Sequence, residues 1–154
     1  MADTTPAANT PTAQTFPRRD AAGRVLSLAE LVVASGLGTL VGLAALALIE
    51  GVLALVGLSS FGSGSGWLAG ILPALLFFDD LRAWRGHGVR FLVAPVGLVV
   101  AIGAGLLAAG AVSALPAMVS GAVGALVAVL VYAPVWFLGV RWLTTRFRYR
   151  EDAR

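Results

Sequence analysis

The chain has 154 residues, of which 58% are apolar and 12% are charged, with a formal net charge of +3. A soluble domain carries about 25% charged residues, so this composition excludes a soluble globular enzyme, and the high apolar content excludes a disordered protein. What remains is an integral membrane protein that crosses the bilayer several times. Cysteine is absent, which excludes disulfides and thiolate metal sites.

The first 23 residues are rich in Thr, Ala and Pro and predict a disordered cytoplasmic tail. A membrane domain over residues 24–145 follows. Its first span is predicted at about 26–58, because residues 31–49 are free of charge and measure about 28 Å as a helix, close to the hydrocarbon core of roughly 30 Å. The Ser- and Gly-rich stretch 59–66 predicts a flexible turn.

Three further spans follow in chain order. We place span two at about 67–84, span three at about 91–115 and span four at about 117–140, with Pro116 as the turn between the last two. Residues 146–154 are predicted to form a charged cytoplasmic tail. The predicted fold class is therefore an all-α integral membrane protein, a four-transmembrane-helix bundle with short extracytoplasmic loops.

All 11 basic residues are arginines, and they fall into three segments of the chain. These segments are the N-terminal tail, the loop between spans two and three, and the C-terminal tail, whereas the other two loops carry none. With four spans, the three segments lie on one side of the membrane, and the positive-inside rule places that side and both termini in the cytoplasm. Because the all-arginine, Ala- and Gly-rich composition is typical of a GC-rich bacterial genome, we expect the bacterial cytoplasmic membrane.

Aromatic and small residues indicate how the bundle sits in the bilayer and how it packs. Tryptophan favours the headgroup layer, and the predicted interface anchors are Trp67, Trp84, Trp136 and Trp142. Small residues recur at four-residue spacing in every span, and they allow helices to approach closely where lipid gives no hydrophobic drive for association. The predicted packing positions are Gly38, Gly42, Gly70, Gly97, Gly105 and Gly124.

Few side chains in this sequence could carry chemistry. Acids near a span are costly and count as functional hypotheses; the candidates for a polar, ion or substrate site are Glu30, Glu50, Asp79 and Asp80, together with Arg82. Glu30, Asp79 and Asp80 share the cytoplasmic face, where an interfacial ion-pair cluster is the simpler interpretation. Glu50 lies near the outer end of span one, either at headgroup level or facing a water-filled interior.

The sequence contains no recognisable nucleophile–base pair, metal-ligand cluster or phosphate-binding glycine loop. We therefore expect no catalytic residues, no metal, no cofactor and no nucleic-acid partner.

Segment 35–41 (Ser-Gly-Leu-Gly-Thr-Leu-Val) and two hairpins that end in Arg82-Ala83-Trp84 and Arg141-Trp142 form a further pattern. In these features the chain resembles the GtrA-like family of four-span proteins, which implies translocation of polyprenyl-phosphate sugars. The family's Asn-Arg-aromatic sequence at the ends of spans two and four is absent here.

These observations favour a small membrane protein without catalytic machinery, an oligomerising or accessory subunit of a membrane complex. Its partners would be the lipid bilayer, other membrane subunits or further copies of itself. The first alternative is a small transporter, channel or GtrA-like translocator of lipid-linked sugar that uses Glu50 and the face of Glu30, Asp79 and Asp80. The second alternative is a holin-like pore former.

Overall fold

In a computed structural model of the chain, residues 16–84 and 88–151 are described, with side chains up to residue 146. The described part is helical apart from turns, loops and one isolated antiparallel bridge, so the predicted all-α class is confirmed for it. The elements are α1 (Leu28–Leu55), a 3-10 helix (Gly66–Gly70), α2 (Ile71–Ala83), α3 (Arg90–Ala111) and α4 (Ala117–Glu151). The tail predictions for residues 1–15 and 152–154 lie outside the described residues.

Three of these helices, α1, α3 and α4, are long and apolar enough to cross a membrane. The prediction of a fourth spanning helix over 67–84 is wrong, because the chain there forms five residues of 3-10 helix followed by the 13 residues of α2. Pro73 gives the physical reason: it has no N–H to donate to the Ala69 carbonyl, and its ring would clash with that carbonyl in a continuous α-helix. The glycines that surround the 3-10 helix disfavour α-helix further.

The remaining helices differ from the predicted spans mainly at their C-terminal ends. Helix α1 ends at Leu55 and α3 at Ala111, before the predicted ends at residues 58 and 115. Helix α4 instead continues past residue 140 to Glu151. The charged segment after residue 140 therefore extends the helix, which agrees with the good helix propensity of arginine and leucine.

Helix α4 is the centre of the bundle, and α1, α3 and the 3-10 helix all pack on it. At one end, which we call the turn end, the Met118 N–H donates to the Gly62 carbonyl at 3.3 Å. At the opposite end, which we call the arginine end, Arg141 Nη2 donates to the Val25 carbonyl at 2.8 Å. Helices α1 and α4 therefore run antiparallel, and both extend between the turn end and the arginine end.

The segment from Gly66 to Ala83 also runs from the turn end to the arginine end. Gly66 lies against the first turns of α4, next to Gly121. At its other end, Asp80 contacts Trp136. The chain therefore returns alongside α4 in this segment, although the segment is not one long helix.

The predicted packing glycines all face another element of the same chain. A methyl group added at Gly42 would lie 2.5 Å from the Ala69 carbonyl oxygen, and one added at Gly105 would lie 2.6 Å from the Gly124 carbonyl oxygen. Neither position can hold a side chain without displacing backbone. The nearest neighbours of Gly38, Gly70 and Gly97 are Pro73, Ala125 and Val135, respectively. The predicted small-residue faces are therefore used for packing within one chain.

Candidate functional site

The arginine end is organised around the buried carboxylate of Asp80, which is 3% exposed. Its Oδ1 accepts a hydrogen bond from the Val25 N–H at 2.9 Å, and its Oδ2 accepts one from the Trp136 Nε1–H at 2.7 Å. These partners are 55 and 56 residues away in the sequence. One side chain near the end of α2 thus joins the N-terminal segment to α4.

Residues 18–26 form a hydrogen-bonded hairpin, although the composition assigns most of them to a disordered tail. Leu26 N–H donates to the Arg18 carbonyl at 3.0 Å, and Arg19 and Val25 form an antiparallel bridge. The Val25 residue is only 2% exposed. The hairpin turns its backbone towards the bundle and so presents the Val25 N–H to the carboxylate beneath it.

One ion pair ties this hairpin to α1, and a second lies within the hairpin itself. Arg18 donates to the Glu30 carboxylate from its Nε at 2.5 Å and from its backbone N–H at 2.8 Å. Arg24 Nε donates to Asp20 Oδ2 at 2.7 Å. Burial acts to raise the pKa of Asp20, but the hydrogen bonds and charge of Arg24 outweigh this effect and hold the pKa below its ordinary value of 3.8.

Arg141 and a layer of aromatic rings complete the arginine end. The Arg141 guanidinium lies 3.9 Å from the centroid of the Phe137 ring while it donates to the hairpin carbonyls. Tyr132 stacks nearly parallel to Trp136 with centroids 6.3 Å apart, and Phe77 meets Tyr132 edge-on at 4.7 Å. Trp136, which donates to Asp80, is thus packed within a cluster of aromatic rings.

The three acids that the sequence predicts on one cytoplasmic face do not form one cluster. Glu30 and Asp80 both bind the hairpin, at Arg18 and Val25 respectively. Asp79 is exposed, and the Arg82 guanidinium stacks 4.7 Å above the Phe78 ring. In the part of the chain that the structure describes, no three acidic or histidine side chains converge on a position that could hold a metal ion. His87 lies outside that part.

Glu50 lies at the turn end and is 5% exposed. Its Oε2 accepts a hydrogen bond from the Gly62 N–H at 2.6 Å, while its buried Oε1 has no hydrogen-bond partner among the described residues. Gly62 has φ +85°, a backbone conformation that favours glycine. A side chain on Gly64 would collide with Oε1, so the Glu50 carboxylate would have to shift. The loop covers Glu50, and its placement at headgroup level or facing a water-filled interior stays a prediction.

The tryptophans expected as interface anchors differ in their exposure. Trp136 and Trp84 are buried, at 1% and 8% exposed, and Trp136 serves as a hydrogen-bond donor inside the bundle. The Trp67 ring packs against the backbone of Gly105 and Gly124. Trp142 is 57% exposed, and its position as an anchor remains a prediction.

Sequence reasoning missed the hairpin and the roles of Val25 and Arg141. A local signal was present, because Asp20 and Gly23 stand at the first and fourth positions of a four-residue turn, where these residue types are favoured. The two partners of Asp80 have no such signal, since the Val25 N–H and the Trp136 indole N–H are both distant in the sequence.

Comparisons of the chain with protein families, with curated proteins and with solved structures found no match.

Proposed function

We propose that this protein is a non-catalytic membrane component that acts as an accessory or oligomerising subunit of a membrane complex. The observation that carries the proposal is the structural use of its acids. Asp80 and Glu30 bind the hairpin, and Glu50 binds the loop at the turn end. Acids near a span suggest function by default, but here each of the three has a partner within the fold.

The orientation in the membrane forms part of this proposal. The described arginines belong to segments that meet at the arginine end, through contacts such as Arg141 with Val25 and Arg90 with Leu81. The positive-inside rule assigns that end to the cytoplasm. The all-arginine, Ala- and Gly-rich composition favours a bacterial cytoplasmic membrane as the bilayer. Segment 66–83 is not one spanning helix, but its five residues of 3-10 helix and the 13 of α2 rise about 30 Å together. The proposal is that this broken segment returns across the hydrocarbon core. Both termini then lie in the cytoplasm.

An open face of α3 supports a role in assembly. Helix α3 packs mainly on α4, and its opposite side exposes large apolar residues such as Val99 and Leu107 at 72% and 79%. Gly103 and Gly110 lie seven residues apart, and a side chain at either would meet nothing within 4 Å. Since neither glycine is needed for packing within the chain, their use would be to let a second helix approach closely.

The test is association in a mild detergent, with matched glycine variants on one helix. Cross-linking in membranes followed by purification and mass spectrometry identifies a stoichiometric partner or a homo-oligomer. Gly103→Leu should reduce that association at least about tenfold while the monomer stays folded. Gly105→Leu should instead destabilise the monomer, because its Cβ would lie 2.6 Å from the Gly124 carbonyl oxygen. A wild-type protein that purifies only as a monomer, with no partner in membranes, would contradict the proposal.

A second candidate function is transport or translocation, and the unpartnered Oε1 of Glu50 favours it. A buried carboxyl with one free oxygen could bind a proton or a cation. If the protein is a transporter, the wild type should show flux in proteoliposomes. Glu50→Gln should abolish that flux while the protein remains folded, and Asp79→Asn should have little effect on it. Equal flux with wild type and Glu50→Gln would exclude Glu50 as the transport site.

A further inference from the structure

An apolar groove lies between α2 and α3, with α4 as its floor. It encloses about 350 Å³ and is lined almost wholly by apolar side chains. Phe78 and Leu81 of α2 form one wall, Leu98 and Ile102 of α3 form the other, and Val129 lies below. The groove lies at the level of the spanning helices, so its contents in a membrane are apolar chains.

Two guanidinium groups stand at the end of this groove that faces the arginine end. Arg82 lies 4.7 Å above the Phe78 ring. Arg90 reaches from the start of α3 towards α2, where its Nη1 donates to the Leu81 carbonyl at 3.4 Å. Because Phe78 and Leu81 both line the groove, the two positive charges flank the same mouth.

Neither guanidinium is neutralised within the described part of the chain. The ion pairs found there involve Arg18 and Arg24. The Arg90 Nε is buried and has no hydrogen-bond acceptor among the described residues. Because no carboxylate pairs with Arg82 or Arg90 among the described residues, the mouth carries two uncompensated positive charges and is electrostatically complementary to an anion.

The groove also has a length that suits one lipid chain. From Ile71 to Leu81 the α-helix rises about 15 Å, which is half of a hydrocarbon core of roughly 30 Å. A chain that enters at the mouth therefore stays within one leaflet while its headgroup remains beside Arg82 and Arg90. Guanidinium binds phosphate with paired, charge-assisted hydrogen bonds.

We propose that this groove binds an anionic diacyl phospholipid, with an acyl chain between α2 and α3 and the phosphate at Arg82 and Arg90. The headgroup belongs to the leaflet that contacts the arginine end of the bundle. The inference is independent of the accessory role proposed above, since it requires only the bilayer and no protein partner.

Native mass spectrometry of the purified full-length protein, titrated separately with phosphatidylglycerol and with phosphatidylcholine of the same acyl chains, tests this site. We expect about tenfold or greater preference for phosphatidylglycerol. Arg82→Gln and Arg90→Gln should each lower phosphatidylglycerol affinity by about fivefold, the effect of one surface arginine on an anionic lipid. The charge control is Arg146→Gln, because Arg146 is exposed and stacks on Trp142 away from the groove.

A second pair of variants tests the groove itself and does not depend on the arginines. Ala74 lines the groove and is exposed, so Ala74→Phe should fill it and reduce lipid retention without disturbing the core. Ala44→Phe adds the same ring to an exposed position of α1 and should leave retention unchanged. Equal affinity for the two lipids, or equal loss with Arg146→Gln and Arg82→Gln, would overturn the proposal. Unchanged retention in Ala74→Phe would overturn it as well.

Discussion

Removal of the Asp80 carboxylate is the most direct test of how the arginine end is built. Asp80→Ala leaves the Val25 N–H and the Trp136 Nε1–H without an acceptor in a site where Asp80 is 3% exposed. An orphaned buried donor costs about 1–3 kcal/mol. Two such donors give an expected loss of about 2–6 kcal/mol in the free energy of unfolding.

The matched control is the neighbouring residue. Asp79 has the same side chain in the same helix but is exposed, so Asp79→Ala should change stability by about 0.5 kcal/mol or less. For a chain of this length, 1 kcal/mol corresponds to about 2–4 °C in Tm. We therefore expect Asp80→Ala to lower Tm by roughly 4–24 °C.

Thermal unfolding in detergent, followed by loss of the monodisperse peak in size-exclusion chromatography, measures the difference. A double-mutant cycle with Trp136→Phe then isolates the side-chain hydrogen bond, because that substitution removes the Nε1 donor and keeps an aromatic ring. If Asp80→Ala and Asp79→Ala had the same Tm within about 1 °C, the structural role assigned to Asp80 would be refuted.

Three further predictions address other parts of the molecule. Gly42→Ala should lower Tm, since its Cβ would lie 2.5 Å from the Ala69 carbonyl oxygen, whereas Gly36→Ala, with nothing within 4 Å, should leave Tm unchanged or raise it slightly. Glu50→Gln should preserve the loop at the turn end, because its amide oxygen can still accept from the Gly62 N–H. Glu50→Ala should instead lower the free energy of unfolding by about 1–3 kcal/mol and increase amide hydrogen exchange in that loop. Similar exchange in both variants would contradict this role of Glu50. Asp20 has a lowered pKa, so its contribution to the hairpin is complete above pH 3.8 and is lost as pH falls through the lower folded value. The amide NMR shifts of residues 22 and 24 should follow that transition and lose it in Asp20→Asn.

Much of the transmembrane pattern could be predicted because hydropathy is a local property of the chain. The mean hydropathy of a window of about 20 residues is enough to identify a helix that can cross a bilayer. This criterion predicts helices α1, α3 and α4. The same criterion gives a wrong prediction for residues 67–84. There a proline and several glycines, and not the apolar content, determine the backbone geometry. Pro73 at that position forces a junction between 3-10 helix and α-helix.

The roles of the acids could not be predicted, because they depend on partners far away in the sequence. Glu30 and Asp79 both look like interfacial acids in the sequence, yet Glu30 binds Arg18 in the hairpin and Asp79 is exposed. The sequence marks Glu50 as a candidate site, but for the glycines of the loop that covers it the sequence predicts only a flexible turn. A hydrogen bond depends on distance and direction in space, which spacing along the chain does not give.

The sequence by itself determined where three helices lie that are long and apolar enough to cross a membrane, and that its arginines fall in three segments. Composition and hydropathy are sums over neighbouring residues, and folding does not change them. The tertiary structure alone decided that Asp80 joins Val25 to Trp136 and that Arg82 and Arg90 stand at one mouth of an apolar groove. These relations arise because antiparallel segments bring distant residues to the same depth, where burial makes each unpaired polar group costly.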